Sequence, residues 1–374
     1  MEGGLVTPDT NVLLNLYRFQ AEAREDLFRA LEGVRDRIWI PYQVGLEFHR
    51  RRLDVIAEQE AYFESTKRQL KKLIDELRAT VGDFPTRIGL SQASTKEILD
   101  SIGGLSSVLS GEVTRAGSAN EVRLKHFEAD RVLERLEALF EERVGAPMSS
   151  AELHEARKEA QRRIDARIPP GYEDAGKADP TGDYLIFRQL MSEAKQRELP
   201  VVFVTDDEKP DWYRKQQGKP LGARPELREE MMAEAGVPLL FMTTEAFLRN
   251  VKEHLHFRVA PETLDQAKKL PEIVEEDQRS QLERAVAMQL RNRNLERIRE
   301  WLDSQAAAAG AGLSDEQRLR IVQFTEDVLN TQVEDSASRE RRRRQVAQAV
   351  AYLASQEPNR ASDEQPSPEE DGQQ

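Results

Sequence analysis

Acidic residues stand at four points where carboxylates can do chemistry. Asp9 follows the short apolar run at residues 5–8, in LVTPDTNVLLNLYR, and Asp206 and Asp207 follow a second such run in VVFVTDDEKPDW. Each run reads as a buried strand that stops at a carboxylate. Carboxylates at the C-terminal ends of neighbouring strands in an open α/β sheet converge on the crevice where such sheets bind ligands. Glu47 lies about one turn past Pro41, on the helix that this proline opens, so its side chain can face back toward the sheet. Asp183 falls in the first turn of its helix, where the dipole favours negative charge. The chemistry open to such a set is to hold Mg2+ or Mn2+ against a phosphodiester. Grouped carboxylates tolerate one another only when a cation offsets their repulsion. At any one position an aspartate that merely caps a turn is the competing reading, and it loses weight when all are taken together.

The elements that must position these residues follow from pattern. Residues 5–8, 37–40, 201–205 and 237–242 read as strands, and residues 21–31, 181–195 and 226–235 as helices. The segment from Pro41 is a long, charged helix with apolar residues every three to four positions, too long to pack wholly on a small domain. Residues 80–117, rich in Gly, Ser and Thr, read mainly as loop with one short helix. An amphipathic helix with Val122, Phe127, Val132, Leu136 and Phe140 follows, then another after Ser149 and Ser150; both are expected to pair with the projecting helix. The boundaries are therefore a core of residues 1–65 and 169–258, a helical insertion at 66–168, a helical region at 259–357 and a polar tail at 358–374 read as disordered. In the helical region, one helix is expected from about Glu275 to Leu302. AAAAGAG breaks it, Ser314 caps a second helix, and RERRRRQVAQAVAYLA begins a third.

Composition narrows the function classes. A formal charge of -13 over 374 residues argues against a protein that simply coats nucleic acid, while leaving room for local basic patches. With no cysteine there is no disulfide, thiolate zinc site or cysteine nucleophile, and five histidines make a histidine-rich metal site a poor expectation. No apolar stretch approaches the roughly 20 residues of a membrane span, and the N-terminus has no signal-peptide pattern, so no membrane partner and a cytoplasmic setting are expected.

The order of elements and the phrases DTNVLLNLYR, PYQVGLEFHRRR, PPGYEDAGKADPTGDYLIFRQL and VVFVTDDEKPDWY resemble the PIN domain superfamily, and more closely its bacterial PIN-like branch with a long helical insertion. The resemblance covers about residues 4–256. It implies an α/β, PIN-like three-layer fold with a central, mostly parallel sheet, a helical insertion and a C-terminal helical region. It implies a metal-dependent endonuclease, usually of RNA, that leaves a 5′-phosphate and a 3′-hydroxyl, in a family associated with stress and anti-phage defence. Asp9, Glu47, Asp183 and Asp207 match its metal-binding and catalytic acids, with Mg2+ or Mn2+ as cofactor. Thr205 supports Asp207, and Asn11 positions Asp9 or stabilises its turn. Asp206 and Asp211 are candidates for a second metal or for orienting water. Pro8 departs from the apolar residue expected before the first aspartate.

Lys209 and Lys177 flank the acidic motifs and can neutralise phosphate or serve as local ion-pair partners. Tyr172 and Trp212 can stack a base, though burial is the stronger reading for Trp212. Arg50 and Arg51, beside Glu47, can follow a substrate backbone or form a solvated helix face; Arg341 to Arg344 are open between RNA, a partner and solvent. The partners expected are nucleic acid, RNA before DNA, and a second copy or a regulatory protein through coiled-coil-like helices. A structure-specific DNA nuclease and a catalytically silent scaffold are the alternatives.

Overall fold

The computed structural model describes residues 3–119, 129–217 and 219–308, and the chain divides into two compact units, Met1–Val274 and Glu275–Gln374. The chain opens with β1 (Leu5–Pro8), α1 (Thr10–Arg18) and α2 (Ala21–Glu32). Then come the helices α3 (Tyr42–Gly82), α4 (Phe84–Ile88), α5 (Gln92–Ala119), α6 (Arg131–Phe140) and α7 (Ser150–Ala166). The α/β pattern resumes with α8 (Gly182–Arg197), β2 (Val201–Val204), a hairpin β3 (Tyr213–Gln216) and β4 (Lys219–Ala223), and α9 (Pro225–Ala235). β5 (Leu239–Met242), α10 (Thr244–His254) and α11 (Pro261–Ala308) complete the described elements.

The central sheet is parallel throughout, in the order β1-β2-β5, with Leu5 opposite Val201 and Val201 opposite Leu239. Both faces are covered, which is why β1 and β2 are continuous buried runs rather than alternating ones. With helices on both sides this is the three-layer PIN-like α/β arrangement. Its core is aromatic beneath β2: Trp212 packs on Phe203, Phe241 and Phe187 with ring centroids 5.5, 5.6 and 6.3 Å away.

Pro8 fits its strand for a geometric reason. The backbone N–H groups of Leu5 and Asp9 donate toward the β2 side, to Pro200 and Val204 at 2.7 and 2.9 Å. Alternation along the strand turns the nitrogen of Pro8 the other way, so no β1–β2 hydrogen bond needs it. On that outer side residues 37–40 do not form the expected strand. Among the described residues the segment makes two single bridges, Val6 to Ile38 and Ile40 to Val144. A 3-10 turn at Arg35–Arg37 precedes it and Pro41, opening α3, cuts it off.

Residues 80–117 are also not mainly loop: most of them form α5, which returns antiparallel along the distal half of α3. Gly117 sits against Phe63, Gly103 against Arg78, and Ile74, Val81 and Ile102 form a small core with Phe84 and Leu99. α6 and α7 pack on the main body instead of on this hairpin. Val132, Leu136, Leu139 and Phe140 of α6 enter the main core, and Ala156 and Ala160 of α7 pack on Tyr184 and Leu185 of α8. Asp130 ties α6 down by capping Leu133 N–H at 2.9 Å while its other oxygen accepts from Tyr17 at 2.8 Å and Arg52 at 2.6 Å.

The last described helix starts at Pro261 rather than near Glu275 and runs through Pro271. Its start is fixed by the buried Asp26, which accepts from Ala260 N–H at 2.9 Å and from the Thr263 hydroxyl at 2.7 Å. Leu282 and Val286 of this helix are exposed. The helix continues through Ala308, into the first residues of AAAAGAG; Val122 and Phe127, the rest of that break, the Ser314 cap, the run Arg341 to Arg344 and the polar tail lie outside the described residues. Among the described residues no helix is long and apolar enough to cross a membrane.

Candidate active site

The C-terminal ends of β1 and β2 are locked together by side chains. Asp9 is the N-cap of α1; its Oδ1 accepts from Thr10 N–H at 2.7 Å. Its Oδ2 accepts from the fully buried Thr205 hydroxyl at 2.8 Å and from the Asn11 amide. Thr205 Oγ1 in turn accepts from Asp207 N–H at 3.1 Å and from Asn11 Nδ2 at 3.0 Å, while Asn11 Oδ1 accepts from Asp206 N–H at 3.0 Å. Thr205 thus fixes Asp9 relative to Asp207, and Asn11 both positions Asp9 and holds the turn after β2.

Glu47 comes in from α3. Its Oε1 accepts from Gln43 Nε2 at 2.8 Å, one turn earlier, and its Oε2 from the Thr10 hydroxyl at 3.4 Å. The first residue of α8, Gly182, closes on the same carboxylate so tightly that a Cβ there would lie 2.6 Å from Glu47 Oε1. Asp183 follows immediately, in the first turn of α8.

Lys209 brings a positive charge among these carboxylates. Its ammonium lies 2.7 Å from Asp207, 2.9 Å from Asp174 and 3.5 Å from Asp183. Asp174 is buried in the loop before α8 and also takes Lys177 at 2.6 Å.

Electrostatics separates these carboxylates into two groups. Burial pushes Asp9 up to about 7, helped by the charges of Asp207 and Glu47 and opposed by its hydrogen bond from Thr205. Burial likewise raises Asp183, against Lys209 and with the charges of Asp174, Asp207 and Asp211. Asp174 goes the other way: burial raises it, but Lys177 and Lys209 outweigh that and hold it below the usual carboxylate range. Lys209 is held above its ordinary value because Asp183, Asp207 and Asp174 outweigh the cost of its burial. Asp207 is the charge that Asp9 and Asp183 both feel, and at both acids burial outweighs the favourable contacts.

The other residues singled out in the sequence fall around this site or into the scaffold. Asp206 turns toward α10: Oδ1 accepts from Thr244 N–H at 2.7 Å, and Oδ2 from the Thr244 hydroxyl at 2.6 Å and Asn15 at 3.0 Å. Burial pushes it up to about 6. Asp211 is fully buried and accepts through Oδ2 from Gly171 and Glu173 N–H at 2.8 and 3.1 Å, shaping the loop that carries Asp174. Gly171 has φ +102° there, which a residue without Cβ takes without strain. Tyr172 is half-buried, with its hydroxyl 3.3 Å from Arg224 and the Arg167 guanidinium over its ring. Lys177, Arg50 and Arg51 are exposed, and Trp212 is core.

Sequence reading missed Asp174, Gly182, Gln43 and Thr10. Asp174 had a signal, a lysine three residues on in GYEDAGK; the others act through contacts that only the fold creates.

The donors are oxygens of the type a hard divalent ion takes, and the burial and like charge that raise Asp9 and Asp183 are what such an ion would offset. The site fits Mg2+ or Mn2+ in chemistry. As the side chains stand, no three His, Asp or Glu among the described residues are gathered closely enough to hold a metal ion.

Comparison with known families agrees with the fold. Residues 5–227, more than half of the chain, match the family described as PIN like domain, and the chain belongs to that family. Membership suggests a nuclease-like, hydrolytic function in general. No curated protein and no solved structure matches the chain.

Proposed function

We propose that the protein is a metal-dependent endonuclease that hydrolyses phosphodiester bonds, with RNA as its main substrate. The observation that carries this reading is the pair of buried, under-compensated carboxylates, Asp9 and Asp183, set beside Glu47 and Asp207 at the C-terminal edge of a parallel sheet. Asp9, Glu47, Asp183 and Asp207 would hold Mg2+ or Mn2+. The chemistry such an ion supplies when bound is activation of water and stabilisation of charge on the phosphate and the leaving oxygen.

The chain's own residues do the positioning. Thr205 and Asn11 set the Asp9 carboxylate at the end of β1, and Gln43 and Thr10 orient Glu47. Gly182 lets α8 close until Asp183 stands beside them. Arg50 and Arg51, one turn beyond Glu47 and exposed, offer positive charge to the substrate backbone, and Lys177 does so from the Asp174 loop. Asp206 and Asp211 serve as scaffold in this reading, since their polar contacts go to Thr244, Asn15 and the Gly171 loop. The setting proposed is the cytoplasm, and the role in stress or anti-phage defence rests on the sequence resemblance alone.

The test uses metal-free full-length protein with labelled single-stranded RNA, single-stranded DNA and duplex DNA. Mg2+ or Mn2+ is then added, beside a D9N/D207N double variant. Metal-dependent cutting of RNA, lost in the variant, is the expected outcome. Cutting confined to DNA moves the assignment to the structure-specific DNA nuclease. No cutting of any substrate favours the silent scaffold.

A further inference from the structure

The most unusual feature of the cleft is that its cation is already a side chain. Lys209 reaches three carboxylates at once, Asp207, Asp174 and Asp183, and two of these belong to the set proposed to hold a metal. Its backbone carbonyl accepts from Trp212 and Tyr213 N–H at 3.1 and 2.9 Å, so the stem starts from a turn anchored in the core. Only the flexible end of the side chain is free to move. Asp207 is itself tied to that turn, since its Oδ1 accepts from Lys209 N–H at 3.3 Å.

We infer that Lys209 is the resident counter-cation of the cleft, occupying the space between Asp183 and Asp207 until a divalent ion displaces its ammonium onto Asp174. This rests on the metal-dependent reading of the site. Asp174 is suited to receive the ammonium: it lies 2.9 Å from it, outside the four proposed ligands, on a loop held by Asp211. Lys209 therefore stabilises the metal-free cleft and lowers its affinity for the ion that activates it. The exchange makes the site responsive to divalent-cation concentration instead of permanently loaded. Once moved, the ammonium stays at the edge of the cleft, where a substrate phosphate would meet it.

The test is calorimetric titration of Mn2+ into metal-free full-length protein, without substrate, for wild type, K209M, K209Q and K209R. Removing a positive charge within hydrogen-bonding distance of two ligands should tighten Mn2+ binding about tenfold or more in K209M and K209Q. K209R, which keeps the charge, should stay near wild type. D174N, which removes the berth for the displaced ammonium, should weaken Mn2+ binding. The pair of neutral variants keeps the experiment decisive if one of them folds poorly. Equal affinity in wild type and the neutral variants, or weaker binding in them, overturns the role given to Lys209 and leaves the metal site standing. Absence of Mn2+ binding in wild type and in both neutral variants overturns the metal reading, and the lysine exchange with it.

Discussion

Raising the pH of the metal-free protein through neutrality should destabilise it, because the cleft holds carboxylates that fold more readily as acids. Asp9 titrates near 7 in the folded chain against an ordinary value of 3.8, and Asp206 near 6. A folded-state value above the unfolded one means that the native state binds more protons between the two. Stability then falls as pH rises through that window. Between about pH 5 and 7 Asp9 loses about two units' worth, about 3 kcal/mol, and Asp206 about 1 kcal/mol more. Asp183 acts in the same direction. Groups held low, such as Asp174, Asp179 and Glu226, already contribute fully at pH 5, and Lys209, held high, does so throughout the range. They leave the slope unchanged. The assay is urea unfolding in EDTA at intervals from about pH 5 to about pH 8, expected to show a loss of about 4 kcal/mol or more. In D9N the loss should shrink by about 3 kcal/mol, and saturating Mn2+ at the upper pH should restore much of the wild-type stability. Stability that stays level or rises from pH 5 to pH 8 in the metal-free wild type would refute the argument.

Three substitutions probe the supports of the site. T205V keeps the shape but removes the hydroxyl shared by Asp9, Asn11 and Asp207; it should cost about 1–3 kcal/mol in urea unfolding. It should also move the Asp9 titration still higher, read from the same pH series. G182A should fold within about 1 kcal/mol of wild type because the added methyl meets the movable end of Glu47. Cleavage should nonetheless fall about tenfold or more, since Glu47 is pushed from its position. W212A empties the space between Phe187, Phe203 and Phe241 and should cost about 3–5 kcal/mol by denaturation.

The strand-end acids were legible because the sheet is buried on both faces, so β1 and β2 appear as apolar runs that end at Asp9 and Thr205. Glu47 was legible from its place about one turn past Pro41, and Asp183 from its place in the first turn of its helix. α5 was not, since Gly103, Gly104, Gly111 and a run of serines lower its intrinsic helicity. Packing of Leu99 and Ile102 against α3 overrides that propensity. The hairpin of β3 and β4 was missed because β3 is short and largely polar and β4 contains Pro220 and Gly222, both outside the central sheet. Asp174 escaped notice in a loop rich in proline and glycine, where no periodicity marks a buried acid. Its importance arises from Lys209, 35 positions on in sequence and 2.9 Å away in space.

The most direct test of the site is a crystal of the full-length protein soaked in Mn2+ and measured at a wavelength where manganese scatters anomalously. The account predicts a peak bounded by Asp9, Glu47, Asp183 and Asp207, with the Lys209 ammonium drawn away toward Asp174. A fully soaked crystal with no peak in the cleft, or with manganese only at surface carboxylates elsewhere, would contradict it.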